Sequence, residues 1–228
     1  MGSNIKGVRH MIYTVPGTNL IKFDLRENYE TDEIVVREIW KENVYEVRDT
    51  HVNRGGVVID IGANIGTFSV YAAHFGATVY AIEPEPHNLE ALKRNIEIND
   101  MQDKIYPCPY AISDYKGTAI IHDSGGGSSI KDDGVFGAEV EVMPLDNFFE
   151  LYHINEVDVL KIDVEGAEVD IILGASKENL EKCKYITMEF DIRSGRQMGE
   201  MVQKLSETHH VRTMGSWERG GMIWAWLY

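Results

Sequence analysis

Residues Val57 to Gly66 read VVIDIGANIG: β-favouring apolar residues, an aspartate at position 60, then glycines at 62 and 66. The pattern predicts a strand, a tight turn and a helix, in that order. A glycine at the carboxyl end of a strand has no Cβ, tolerates positive φ and lets the backbone approach a ligand closely. The helix beyond it presents unpaired N–H groups to the same crevice. A second apolar strand, Thr78 to Ile82, ends on Glu83, twenty-three residues after Asp60. An acid at that tip can accept hydrogen bonds from both hydroxyls of a ribose, so the stretch reads as a nucleotide-binding βαβ unit.

Working outward, Phe68, Ala72 and Phe75 give the first helix an apolar stripe, and Gly76 stands where a helix-ending residue belongs. The next helix carries Leu89, Leu92 and Ile96, with Pro84 and Pro86 placed in its first turn. A third strand is expected over Ile105 to Ile112, at an edge because Pro107 and Pro109 cannot donate to a ladder. Gly117 to His122 and Glu139 to Met143 predict a hairpin whose linker, DSGGGSSIKDDG, is too polar and glycine-rich to pack. Its central part, Ser124 to Gly134, reads either as a segment that closes over a substrate or as a hairpin tip. A short helix over Asp146 to Leu151 precedes the buried strand Val157 to Asp163, after which Glu165 to Glu168 open another helix. Tyr185 to Phe190 is a further strand ending among acids, Glu189 and Asp191, and a helix near Gln197 to Glu207 leads to two last strands around Gly220 and Gly221. Before all of these, two short strands flank Pro16 and Gly17, and a helix presents Val35, Ile39 and Trp40. Residues 1–50 therefore read as an N-terminal cap and 51–228 as the main domain. Alternating β and α elements predict an α/β fold: a mainly parallel sheet with helices on both faces and an antiparallel strand at the C-terminal end. Trp217, Trp224 and Trp226 read as strand residues, the last two sharing one face in the core.

The 228 residues carry a formal charge of −15, which repels phosphate backbones and disfavours a nucleic-acid substrate. A small acceptor fits better. Cys108 and Cys183 have no metal-type spacing and suit a reducing compartment. No apolar run approaches the roughly 18–20 residues that span a bilayer, and the N-terminus lacks a secretory apolar core, so the expected setting is cytoplasmic without a membrane partner. Oligomeric state stays open.

Asp60-Ile-Gly-Ala-Asn-Ile-Gly66, Glu83-Pro-Glu-Pro, Ala111-Ile-Ser-Asp114 and above all LKIDVEGAE, Leu160 to Glu168, resemble the FkbM family of S-adenosylmethionine-dependent methyltransferases. The resemblance runs from about Asp32 to Glu189 with its blocks in order. It implies the class I methyltransferase fold with a seven-stranded sheet, S-adenosylmethionine as cofactor with S-adenosylhomocysteine as product, and O-methylation of a hydroxyl on a small metabolite, sugar or polyketide-like acceptor. The residues agree: the loop Gly62-Ala-Asn-Ile-Gly66 lacks the second close glycine that a pyrophosphate needs, whereas this cofactor has no phosphate. A nicotinamide-dependent oxidoreductase or epimerase, and a non-catalytic cofactor-binding module, remain the rival readings. Against the first stand the missing G-x-G-x-x-G and Tyr-x-x-x-Lys patterns; the second does not need the later cluster of acids.

The cofactor-binding candidates are Asp60, Gly62, Asn64, Gly66, Glu83, Ser113 and Asp114. Asp60 either orders the glycine loop or meets the cofactor's amino group through water. Asn64 bonds the methionine moiety or holds the loop as a local turn. Glu83 takes the ribose hydroxyls, and Ser113 and Asp114 read the adenine edge. Asp163 and Glu165, at the carboxyl end of the strand bordering the crevice, are the catalytic candidates, because a hydroxyl acceptor must lose its proton to a base. For Glu165 the competing reading is a helix first turn, where an acid favours the dipole; Glu168 is assigned to that role. A divalent metal is conceivable among the strand-tip acids, but the resemblance implies none and no ligand is assigned. The eight histidines show no metal spacing; His122, beside the Gly/Ser loop, is the one that could serve as a base.

Overall fold

The computed structural model of the chain describes residues 11–18, 20–26, 31–48, 51–52, 54–123, 128–129, 137–190, 195–216 and 219–228. Asp191, Trp217 and most of the Ser124–Gly134 segment lie outside the described residues, as does the side chain of His122. The central sheet has the spatial order β12 (His209–Ser216), β13 (Gly220–Leu227), β11 (Cys183–Phe190), β10 (Val157–Ile162), β3 (Val57–Ile61), β4 (Thr78–Ile82) and β5 (Ile105–Cys108). Strands β11, β10, β3, β4 and β5 run parallel, and β13 is antiparallel to both its neighbours. From β3 the chain winds first one way to β5, then returns to β10 on the other side. That reversal opens a crevice at the carboxyl ends of β3 and β10, where open α/β sheets bind ligands.

Strand side chains alternate between two cores. Val58, Val79, Val159, Tyr185 and Trp224 face α2 (Thr67–His74) and α3 (Pro86–Ile98). Ile59, Ile61, Leu160, Ile162, Ile186 and Met188 face α4 (Leu145–Leu151), α5 (Glu168–Gly174), α6 (Lys177–Glu181) and α7 (Gly195–Leu205). With both faces covered, α2 is buried from Thr67 to Ala73 rather than along one stripe. It ends where the sequence predicts, at a left-handed Gly76.

The N-terminal segment joins the first of these cores. The hairpin β1 (Met11–Thr14) and β2 (Lys22–Leu25) docks on α3 through Asp24 N–H to Asn95 Oδ1 at 2.7 Å. Helix α1 (Thr31–Arg37) passes into a π-turn over Glu38–Glu42, closed by left-handed Asn43. Val36 and Ile39 are buried, and Val35 and Trp40 pack partly buried against the same core, so the expected face is present with Val36 added to it.

Three further expectations need correction. The third strand divides at Pro109: β5 stays at the sheet edge, and Tyr110–Ser113 becomes β6 of a second sheet, ordered β6, β9 (Ala138–Pro144), β7 (Gly117–Asp123) and β8 (Ser128–Ser129). A proline has no N–H to carry the first ladder across that point. Pro84 lies before α3, whose N-cap is Glu85, its carboxylate accepting the Asn88 N–H at 2.6 Å. Trp224 is core, its indole N–H reaching the Tyr45 carbonyl at 3.2 Å, but Trp226 is 42% exposed, beyond the part of the sheet that this segment covers. Among the described residues, no helix is long and apolar enough to cross a membrane.

Candidate active site

A cavity of about 670 Å³ opens at the carboxyl ends of β3, β4 and β10. Gly62, Asn64, Glu83, Ser113, Asp114, Asp163 and Glu165 all line it, so two strand tips, the first glycine loop and the β6 end converge on one space. Asp60 and Gly66 do not. Asp60 is fully buried behind the wall, accepting from Ser69 Oγ at 2.6 Å. A Cβ on Gly66 would meet Leu92 Cδ1 at 2.4 Å, so this left-handed glycine lets α3 pack closely behind the loop.

Gly62 has φ +78°, and a Cβ there would lie 1.7 Å from the Asp163 carbonyl oxygen. The bend is thus forced by the neighbouring strand tip. The N–H groups of Gly62 and Ala63 both donate to the Ile82 carbonyl at 3.0 Å, tying the loop to β4. Asn64, at φ +51°, continues the turn and donates its N–H to Glu83 Oε2 at 2.8 Å. Glu85 N–H donates to Glu83 Oε1 at 2.9 Å. Glu83 is 4% exposed, and burial pushes its carboxyl up to about 7, although the bonds from Glu85, Asn64 and Asn88 pull the other way. Each carboxylate oxygen holds two acceptor sites; Oε1 takes Glu85 and the Asn88 amide, so the site left for a ligand hydroxyl is on Oε2.

Arg26 supports this corner from the N-terminal segment. Its guanidinium donates to Asp32 through Nε at 3.1 Å, to Asn64 Oδ1 through Nη2 at 3.1 Å and to Asn88 Oδ1 through Nη1. Asn64 and Asn88 are thereby oriented from outside the cavity they line. Neither Arg26 nor Asn88 is marked by any motif. The available signal is weak: Asn88 and Asn95 interrupt the apolar face of α3 at helical spacing and are buried.

Lys161 lies inside LKIDVEGAE, and its residue type alone assigns it no role there. The parallel register sets it beside Asp60 on β3 and Thr187 on β11. Its side chain is 4% exposed; Nζ donates to the Gly62 carbonyl at 2.7 Å and pairs with Asp60 Oδ1 at 3.1 Å and Asp163 Oδ2 at 3.5 Å. Burial alone would lower its pKa, but the two carboxylates outweigh burial and hold it above the ordinary lysine value. It is a cation that pins the glycine loop to the tip of β10.

Tyr45, also unassigned by the sequence, donates its hydroxyl to Asp163 Oδ2 at 2.7 Å. Burial, then the Asp163 charge, raises the phenol well above its usual value, so it acts as a donor. Asp163 is therefore an acceptor already engaged by Tyr45 and Lys161. Glu165 is not in a helical first turn: it has φ +56° and precedes Gly166 at φ +124°, while α5 starts at Glu168. Glu168 is buried and accepts the Gly166 N–H at 2.8 Å. Glu38 and Glu189 join Asp163 and Glu165 on the wall, making this end of the cavity strongly acidic. Among the described residues, no group of three His, Cys, Asp or Glu converges on a metal-sized point.

A nucleoside sulfonium fits these walls. Glu83 faces the cavity with acceptor capacity, Ile82, Ala111 and Ile112 offer apolar surface beside Ser113 and Asp114, and Thr67 Oγ1 is buried on the wall without a hydrogen-bond partner among the described residues. The acids opposite suit a positively charged ligand.

Comparison with known proteins agrees. Residues 60–215 match the family model described as the methyltransferase FkbM domain. The 31-O-demethyl-FK506 methyltransferase FkbM of Streptomyces tacrolimicus is 26% identical in an alignment of 209 positions that covers 76% of this chain and 79% of that protein. The hexuronic acid methyltransferase AglP of Haloferax volcanii is 24% identical in an alignment of 183 positions that covers 75% of this chain and 73% of that one. A crystallised FkbM methyltransferase from Methylobacillus flagellatus superposes with a TM-score of 0.55 at 16% identity over 84% of this chain, which spans about half of its length (47%). The chain belongs to the FkbM family of S-adenosylmethionine-dependent methyltransferases, with S-adenosylmethionine as its methyl donor.

Proposed function

We propose that the protein O-methylates a hydroxyl of a small acceptor, a sugar or polyketide-like compound, in the cavity bounded by Gly62, Glu83, Asp163 and Glu165. One observation carries this reading: the ribose-type acid Glu83 and the acidic cluster at Asp163 open onto a single cavity from opposite sides. The bound cofactor supplies a methyl group already activated by a sulfonium leaving group. The protein's part is alignment, and a proton sink for the hydroxyl. Glu83 and Asn64 hold the nucleoside and amino-acid ends, Ser113 and Asp114 border the base, and Asp163 and Glu165 face the acceptor. Asp163, fixed by Tyr45 and Lys161, accepts a hydrogen bond that orients the hydroxyl. The N-terminal residues Glu38 and Tyr45 complete the acceptor end, which gives the cap its role in substrate choice.

The relatives' names support transfer to hydroxyl-bearing small molecules, one acting on 31-O-demethyl-FK506 and one on a hexuronic acid. The acidic wall favours neutral over anionic acceptors here, since a substrate carboxylate would face four carboxylates. The charge of −15 likewise opposes nucleic acid. The test is calorimetry with S-adenosylmethionine and S-adenosylhomocysteine, followed by a mass-shift screen of neutral methyl glycosides and uronic acids. Binding of both cofactor forms and methylation of neutral glycosides is expected. No binding at millimolar cofactor would refute the site, and methylation confined to uronic acids would refute the acceptor class.

A further inference from the structure

Four carboxylates share the acceptor end, yet they are not equivalent. Asp163 is engaged by Tyr45 at 2.7 Å and by Lys161. Lys161 in turn spends its charge on Asp60, Asp163 and the Gly62 carbonyl. Glu165 sits on a left-handed turn between strand and helix. Glu189 stands on β11, one step past the paired residues Ile162 and Met188, which puts it beside Asp163 on the cavity side of the sheet. Its neighbours are Asp163 beyond β10, Glu165 on the turn before α5, Glu38 on the π-turn, Tyr45 and Lys161. No hydrogen bond or ion pair ties it down among the described residues. Glu38 is likewise without a side-chain partner among the described residues, but it sits on the π-turn; Glu189 is the unengaged wall carboxylate that a central strand holds beside Asp163, surrounded by negative charge.

Resting on the proposed O-methyl transfer and deepening it, we propose that Glu189 receives the acceptor's proton and that the cofactor's positive charge switches it into its basic form. The balance is complete. The acceptor O–H proton goes to a Glu189 carboxylate oxygen, the O–CH₃ bond forms, the S–CH₃ bond breaks and its electron pair stays on sulfur. One positive and one negative charge disappear together, and Glu189 returns its proton to solvent at the cavity mouth. Glu189 is exposed to the open cavity; partial desolvation by the walls, then the charges of Asp163, Glu165 and Glu38, push its carboxyl up to about 7 when no cation is present, Lys161 opposing them. A sulfonium offsets those three acids and favours the ionised form. The neutral thioether product does not, so the base is armed only when donor is loaded.

The experiment counts protons, not turnovers. Calorimetry at pH 7, in buffers of different ionisation enthalpy, gives the protons released on binding S-adenosylmethionine, S-adenosylhomocysteine and sinefungin, which carries an ammonium in place of the sulfonium. A carboxyl half-protonated at pH 7 and lowered by about one unit releases roughly 0.4 proton. Both cationic ligands should therefore release about 0.4 proton more than S-adenosylhomocysteine, and Glu189→Gln should abolish that difference while still binding all three. Because the ligands' own amino groups titrate nearby, the wild-type minus variant value is the one that counts. Followed with pH, that wild-type minus variant excess should peak at pH ~6.5, midway between the two carboxyl values, and vanish by about pH 9. With a methyl glycoside that the wild type methylates, Glu189→Gln should lower kcat at least 100-fold, as expected for loss of a general base. Absent cofactor binding, the parent reading falls. Equal proton counts for cationic and neutral ligands, an excess that survives Glu189→Gln, or a kcat within threefold of wild type overturns this inference and leaves the parent reading standing.

Discussion

Lys161→Met tests whether the site is held by a buried cation. At an effective dielectric near 20, contacts of 3.1 Å and 3.5 Å each correspond to about 5 kcal/mol of gross attraction, most of it offset by taking the ammonium out of water. Methionine matches the length of the chain but leaves Asp60, 0% exposed, without its counter-charge. It also leaves the Gly62 carbonyl without its 2.7 Å donor. Breaking a buried pair from one side costs about 3–5 kcal/mol, and the orphaned carbonyl lies within that range rather than adding to it. For a chain of this size, each kcal/mol moves Tm by about 2–4 °C, so the ligand-free variant should melt roughly 6–20 °C lower. Scanning calorimetry without cofactor is the assay, since bound ligand would mask the loss. If the cause is an unpaired carboxylate, adding Asp60→Asn should restore at least half of the lost Tm. A drop below about 3 °C, or no recovery in the double variant, would refute the pinning role and return Lys161 to an incidental strand residue.

Three more outcomes follow from the loop and its acid. Gly62→Ala places a methyl carbon 1.7 Å from a backbone oxygen in a left-handed conformation, so cofactor binding should be lost by calorimetry; an affinity within tenfold of wild type would show that the loop is not seated as described. Glu83→Gln separates burial from binding. The wild-type carboxyl, raised to about 7, stabilises the fold in its protonated form; that contribution is fully present below the unfolded value near ~4.3 and lost as pH rises through about 7. Ligand-free wild type should therefore lose up to about 3 kcal/mol between pH 4.5 and 8 relative to Glu83→Gln, read from denaturant unfolding. The same variant should bind S-adenosylmethionine more weakly by about 1–3 kcal/mol at pH 8, and parallel pH profiles or unchanged affinity would each reject the assignment.

How much of this was legible depends on whether a property is local. Strand and helix identity along 57–98 follows from residue periods and glycine positions, which act over a few residues, so those elements emerge with small boundary errors. The division at Pro109 is equally local in cause, but its consequence, a second sheet, depends on β9 arriving from thirty residues away. Lys161 did carry a usable signal. A lysine inside VDVLKID, a run that must be covered on both faces, has no route to water and demands a carboxylate partner. Which carboxylate it takes is set by parallel register with Asp60, 101 residues earlier, and no spacing rule reaches that far.

The same limit explains why acids at the strand tips could be found while their roles could not be divided. Asp163, Glu165 and Glu189 look alike as strand-tip acids. What separates them is a phenol from the N-terminal segment, a left-handed turn before α5, and the absence of either at β11. A carboxylate's chemistry is decided by its partners, and here one of the deciding partners lies 118 residues away in the chain. Tyr45 and Lys161 meet on the same Asp163 oxygen, at 2.7 Å and 3.5 Å, so one partner comes from the N-terminal segment and one from the motif itself, and together they remove Asp163 from competition with Glu189.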